Sequence, residues 1–224
     1  MTPRRAPSDP GGTGRLEAVY VGTPQPMISS RGPVRSAIAK RRVSDPEVRV
    51  GTLNIDGDRQ ADLSVHGGPD KAVYAYPVEH YAAWVAAGFR LAIGGVGENL
   101  AVGGFSEQDV RIGDVWEWGD AVLEVSQPRS PCFKLAIHAG RRGAGRHLVA
   151  TGACGWYLRV LRTGSAPTEG TIRRAATHHA EPTVAEAFVA PRPGADPEVR
   201  SRVLSSARLA DQWRAAVPDH RTGR

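Results

Sequence analysis

The stretch Ser126-Gln-Pro-Arg-Ser-Pro-Cys-Phe-Lys-Leu135 brings a thiol, a guanidinium and an ammonium together in the middle of the chain. Proline fixes its own φ and drives the preceding residue toward extended geometry. Pro128 and Pro131 therefore make a stiff connector that presents Arg129 and Cys132 in a set direction. Arg129 and Lys134 place positive charge on both sides of Cys132, which suits a thiolate, the form that attacks electrophiles or binds soft metals. Two readings of Cys132 stand side by side: a soft ligand or nucleophile, and a small buried hydrophobe that follows a strand.

A second stretch with chemical potential runs through Asp62-x-x-x-His66-Gly67-Gly68-x-Asp70-Lys71. Adjacent glycines let the backbone turn sharply and let a ligand approach main-chain N–H groups, and His66, Asp70 and Lys71 surround that turn. The Gly-Lys-Ser/Thr ending of a phosphate-binding P-loop is missing, and no GxGxxG occurs. Such a turn also serves purely structural ends. A third turn, Gly94-Gly-Val-Gly-Glu-Asn-Leu100, ends in Glu98 and Asn99, residue types that also satisfy loop backbone groups. Of the 29 basic residues only Lys40, Lys71 and Lys134 are lysine, and two of these three fall in the stretches just named. In an arginine-rich chain a lysine there suggests a compact ammonium reaching an anion.

The elements that must position these groups read mostly as short strands. Residues 121–125 alternate so that Ala121, Leu123 and Val125 share one face, and Phe133, Leu135, Ala136 and Ile137 begin a short helical turn. Further strands are predicted at 16–21, 34–43, 48–55, 110–112, 115–118, 155–161 and 170–174, with a loop over 26–31 and a turn at Asp56-Gly57-Asp58. The basic strand 34–43, with Arg35, Lys40, Arg41 and Arg42, is read as a solvated face. A helix is predicted over 77–87, in which His80 is a packed or surface helical residue. Residues 141–146 read as a basic glycine-rich turn, and Cys154 as a buried structural thiol. Strands this short and this often punctuated by glycine argue for a barrel or sandwich over alternating βαβ units. From Thr177 the pattern becomes helical: a capping box at Thr183 to Glu186, then helices at 197–205 and 207–217, too short to stand alone. The resulting division is a flexible arm (1–14), a mainly β barrel domain (15–176), a three-helix extension (177–219) and a tail (220–224).

At 224 residues the chain holds one ordinary core plus an appendage. No apolar run approaches the ~20 residues that cross a bilayer, and Arg4 and Arg5 have no apolar segment behind them, so a cytoplasmic protein without membrane attachment is expected. Two cysteines do not make a disulfide scaffold, and neither they nor the histidines show zinc-ligand spacing. The net charge of +6 permits nucleic-acid binding, but an arginine-rich composition gives the same charge. Aromatics are 6% of the chain, several in apparent core positions, so a stacking surface for single strands is not expected.

Taken together, Asp62-x-x-x-His66-Gly67-Gly68-x-Asp70-Lys71-Ala72, Gly97-Glu98-Asn99-Leu100, Ile112-Gly113-Asp114 and Pro128-Arg129-x-Pro131-Cys132-x-Lys134-Leu135 resemble the MOSC family, domains related to the C-terminal part of molybdenum-cofactor sulfurase. The resemblance continues through Gly155-Trp-Tyr-Leu-Arg-Val-Leu161, and the helical tail is similar to the three-helix extension of the 6-N-hydroxylaminopurine resistance subfamily. It implies a β-barrel holding a molybdopterin-type molybdenum cofactor, with Cys132 as the metal-ligating residue. It further implies that Arg129, Lys134 and Lys71 contact the anionic cofactor beside Gly67 and Gly68. His66 and Asp70 would orient the pterin or manage protons with Cys132 at the catalytic centre, and Glu98 and Asn99 would order the pocket wall. The implied reaction is two-electron reduction of small N-hydroxylated compounds such as hydroxylamino-purines. The chain has no four-cysteine pattern and no nucleotide fingerprint, so a separate flavin or iron–sulfur reductase must supply the electrons. The alternative is a non-redox carrier of the cofactor or of sulfur that uses the same cysteine.

Overall fold

Strands β8 (Val115–Trp118) and β9 (Ala121–Pro128) form a hairpin around Gly119-Asp120, where Gly119 supplies the positive φ that a tight turn between twisted strands needs. A computed structural model describes residues 12–30, 32–62 and 66–218, and in it this hairpin is one side of a barrel. Around the ring follow β10 (Trp156–Arg162), β6 (Val73–Pro77), β7 (Leu100–Gly103), β1 (Thr13–Val21) and β12 (Gly170–Ala176), which pairs back to β8. Seven strands thus close on themselves, and the ring leaves no open edge. All ring neighbours are antiparallel except β6 and β7. A parallel pair needs a long crossover. Here it carries a 3-10 turn (Val78–His80), helix α1 (Tyr81–Ala86) and the turn at 94–97.

The barrel interior is filled by large side chains, with Trp116, Trp118, Trp156, Leu16, Leu100 and Leu123 all essentially solvent-free. As the alternation predicts, Ala121, Leu123 and Val125 are fully buried. The opposite face of β9 is covered too, by the C-terminal helix α4 (Val184–Val189), and α5 (Pro197–Ser205) and α6 (Asp211–Arg214) complete the extension. Glu124 on that face accepts from Arg159 and Arg208, and the main-chain N–H of Ala210 donates to Ser126 O at 3.0 Å. The predicted capping box is present: Glu186 N donates to Thr183 Oγ1 and Thr183 N to the Glu186 carboxylate. Trp213 then ties α6 to α4 through Nε1 to Ala187 O at 2.9 Å.

Several boundaries differ from the sequence-based expectation. Of the loop expected over 26–31, residues 26–29 are strand and residue 31 lies outside the described residues: β2 (Gln25–Ser29) and β3 (Gly32–Ser36) pair as a hairpin, because Pro26 is tolerated on a strand with no further neighbour. The predicted strand at 34–43 breaks in two, since residues 37–40 leave the ladder before β4 (Arg41–Arg42) joins β1. The strand at 48–55 shortens to β5 (Glu47–Val50), paired with β11 (Gly164–Pro167), and Ile55 bridges back to Val50. Residues 110–112 make only one bridge, Arg111 to Thr183. A helix, α3 (Ala144–Thr151), takes over residues 144–146 of the expected basic turn, held by burial of Ala144 and Leu148. The helix expected over 207–217 contracts to α6. Thr13 and Gly14, assigned to the arm, already pair with Arg173 and Ile172; residues 1–11 and the tail lie outside the described residues.

Gly155, at the entry to β10, has φ +62°, and a Cβ there would lie 2.4 Å from Ala75 O and 2.9 Å from the Tyr74 ring. Gly155→Ala should cost more than about 2 kcal/mol, because a strained backbone and a clash with main chain act together. Denaturant unfolding checks it, and a loss under about 0.5 kcal/mol, the usual surface range, would contradict this packing.

Candidate functional site

Where β9 runs out, several segments distant in sequence line one cleft of about 620 Å³, open mouth included. Arg129 is the first residue past the last β9 pair, Pro128 with Trp156. Its guanidinium is buried and lies 5.1 Å from the centroid of the Tyr74 ring, and Nη1 has no hydrogen-bond partner. Tyr74 on β6 donates its hydroxyl to Cys154 O at 2.9 Å, and its ring meets that of Tyr157 on β10 at 5.2 Å. Burial pushes both phenols above their ordinary pKa, so they present neutral rings to the cleft.

Cys132 has the extended backbone that the Pro131 connector implies, φ −119° and ψ 162°, and it precedes helix α2 (Phe133–His138). Its side chain is only partly buried and lines the cleft with Lys134. The reading of Cys132 as a buried hydrophobe therefore fails for this fold. That description belongs to Cys154, which is solvent-free and whose thiol burial pushes well above its ordinary pKa.

His66 and Lys71 reach the same cleft from the other side of the Gly67-Gly68 turn. Gly68 has φ +96° with open space where a Cβ would be, so the turn requires glycine for its backbone conformation alone; neither glycine lines the cleft. The ammonium of Lys71 donates to Gln212 of α6, and burial lowers its pKa against the pull of Asp70. His66 is held below its ordinary pKa first by burial, then by Lys134, Arg129 and Lys71.

Asp70 is not brought to the cleft. Its Oδ1 accepts from Arg159 Nε at 2.7 Å, and its carbonyl accepts from Ser126 Oγ at 2.5 Å. Consecutive residues of a 3-10 turn point about a third of a revolution apart, so Pro69–Lys71 cannot aim Asp70 and Lys71 at one place. Glu98 is solvent-free behind the cleft wall, accepting from Tyr81 Oη and from Gly94 N at 2.7 Å; burial raises its pKa against those bonds. Asn99 does line the cleft, but both ends of its amide are spent on backbone, accepting from Tyr74 N and donating to Tyr20 O, each at 3.1 Å.

Three charged residues of the site, Lys40, Asp58 and Arg59, are not among those the sequence singles out. Residues 37–40, read as a solvated basic strand, instead form a cleft wall, and Lys40 is buried there in an ion pair with Asp58. Burial lowers the Lys40 pKa, and Asp58 opposes that. All three lysines of the chain thus converge on one cleft, a signal present in their scarcity but extended at first only to Lys71 and Lys134. Among the described residues that line it, Asp58 is the single carboxylate, against Lys40, Arg59, Lys71, Arg129 and Lys134. Such a cleft suits an anion.

A family model described as "MOSC domain" matches residues 62–174. The chain is 35% identical over 221 residues to "Protein YiiM" of Escherichia coli (strain K12), covering 93% of this chain and 90% of that one. It is 39% identical over 146 residues to a protein named "Reductase" of Gibberella moniliformis, covering 63% of this chain and 26% of that one. The solved structure of YiiM from Escherichia coli superposes with a TM-score of 0.71 at 28% identity, covering 92% of this chain and 96% of the other.

The lowered pKa of His66 has a measurable sign. The unfolded chain takes up that proton near pH 6.5 while the folded site resists it. Its contribution to stability is therefore complete above about 6.5 and is lost as pH falls through the lower folded value. An NMR titration should place the His66 midpoint below 6.5, and Lys134→Met should move it up. A midpoint at or above 6.5 would contradict the burial and charge described.

Proposed function

The chain belongs to the MOSC domain family, and from that premise we propose that it is a molybdenum-cofactor-dependent reductase of N-hydroxylated compounds, with hydroxylamino-purines as the substrate class. The observation that carries this reading is the partly exposed Cys132 thiol on the rim of a cleft into which three lysines and Arg129 converge. The residues fit a molybdopterin-type cofactor. A thiolate is a ligand for a soft metal. The buried Nη1 of Arg129, which has no partner, is a donor awaiting an anionic oxygen such as that of a phosphate.

In this reading Cys132 holds the metal, Arg129, Lys71 and Lys134 hold the anionic part of the cofactor, and Asn99 fixes the wall they press against. Bound there, the cofactor supplies two-electron redox chemistry at the metal. The balance is one N-hydroxylamine, two electrons and two protons giving one amine and one water. His66, neutral near pH 7 because of its lowered pKa, can relay a proton by taking one up from solvent at its free ring nitrogen while releasing the one on the other. Asp70, turned to Arg159, acts by anchoring the turn that carries Lys71. The electrons come from a separate flavin or iron–sulfur reductase. The Gibberella protein named "Reductase", most of whose length lies outside the match, supports a donor associated with such a domain. Among the described residues no helix is long and apolar enough to cross a membrane, and the proposal places the chain in the cytoplasm, where both thiols stay reduced.

Protein purified from cells that make the cofactor should retain molybdenum, and Cys132→Ala should lower that content at least about tenfold, as loss of metal-site residues does. With an artificial electron donor the wild-type holoprotein should convert a hydroxylamino-purine to its amine. Equal molybdenum in wild type and variant refutes the ligand assignment, and retention without turnover points to the carrier instead.

A further inference from the structure

In a cleft lined by cations, a buried carboxylate works against the binding of an anion unless it has a task of its own. Asp58 is such a residue, 2% exposed. One task is structural: Gly22 N donates to Oδ1 at 2.8 Å, and the Lys40 ammonium donates to the same oxygen. Both contacts fall on Oδ1, and Oδ2 is buried with no hydrogen-bond partner. A clamp between residues 22, 40 and 58 would be as well served by one acceptor. Leaving a second carboxylate oxygen desolvated and unpaired is costly, so its retention points to a partner outside the chain. In the same cleft the unpartnered atom of opposite character is Arg129 Nη1, a donor.

We infer that Asp58 Oδ2 and Arg129 Nη1 form the two poles of one binding site, Asp58 accepting from an exocyclic amine N–H on the ligand's heterocycle and Arg129 donating to its anionic group. The inference rests on the proposed function for the cofactor class, since a pterin carries such an amine at one end and, in cofactor form, an anion at the other. It adds the selecting residue: Asp58 distinguishes an amino-substituted ring from its oxo counterpart, whose carbonyl would face a carboxylate oxygen. The neutral rings of Tyr74 and Tyr157, which also line the cleft, supply faces on which a planar heterocycle can rest.

The test uses two fluorescent probes on the full chain made without cofactor: pterin-6-carboxylate, and lumazine-6-carboxylate, in which a carbonyl replaces the exocyclic amine. Wild type should bind the pterin at least about tenfold more tightly, because a site that hydrogen-bonds a polar group rejects the analogue lacking it. Asp58→Asn keeps an oxygen for Gly22 N but puts an amide donor in place of Oδ2, so the preference should vanish or reverse. The wild-type comparison needs no variant, and thermal unfolding shows whether D58N is folded. No preference in wild type, no binding of either probe, or a preference unchanged in folded D58N overturns the inference. Molybdenum content separates the two claims. A pterin preference without copurifying metal leaves this inference standing and removes the molybdenum reading. Metal retained with no preference for the pterin removes this inference alone.

Discussion

Like charges gathered in partly desolvated space repel one another, and this chain places Lys40, Lys71, Arg129 and Lys134 around one cleft with Asp58 as the single carboxylate among the described lining residues. The surrounding structure holds three of these cations by other means. Lys40 has Asp58, Lys71 has Gln212, and Arg129 rests against Tyr74. Burial already lowers the pKa of Lys40 and Lys71, and His66, lowered first by burial, is lowered further by Lys134, Arg129 and Lys71. An anion entering the cleft relieves the repulsion. The free energy stored in folding the cations together is thereby available for binding.

The barrel and the helical extension share the work of keeping that cleft in shape. Ring closure fixes the ends of β6, β9 and β10, from which Tyr74, Arg129 and Tyr157 project. The extension reaches the site directly. Gln212 on α6 accepts from Lys71, and Arg208 joins Arg159, Glu124 and Asp70 in a network that ties the turn of Lys71 to β9 and β10. Glu124 is the buried member of this network, and removing its arginine partners would leave its charge uncompensated. The C-terminal extension therefore belongs to the cleft, through Gln212, as well as to the outer face of the barrel.

Residue chemistry was a better guide to the site than to the ladder that carries it. Cys132, Arg129, Lys134, His66 and Lys71 stood out by type and spacing, and they meet in one cleft. Lys40 and Asp58 did not, because what brings them together is the packing of residues 37–40 against Gly22, whose N–H donates to Asp58, a contact between segments far apart in the chain. Gly97 lets residue 38 pass close to the turn at 94–97: a Cβ on it would lie 2.8 Å from the Ile38 side chain. Asp70 was misassigned for a similar reason, since its partner Arg159 lies on a strand that local pattern does not connect to it. Helix α3 was missed because Gly143, Ala144 and Gly145 read as a turn, and the tertiary burial of Ala144 and Leu148 overrides the poor helix propensity. The period of two in β9 and the capping box of α4, whose signals are complete within a few residues, were legible in the sequence.

The proposed chemistry turns on a bond between the Cys132 sulfur and a metal at the mouth of this cleft. X-ray absorption at the molybdenum edge of the holoprotein reads that bond without reference to turnover. The prediction is a shell of sulfur scatterers that loses one sulfur in Cys132→Ser when metal is still bound. An identical sulfur shell in wild type and variant would contradict it.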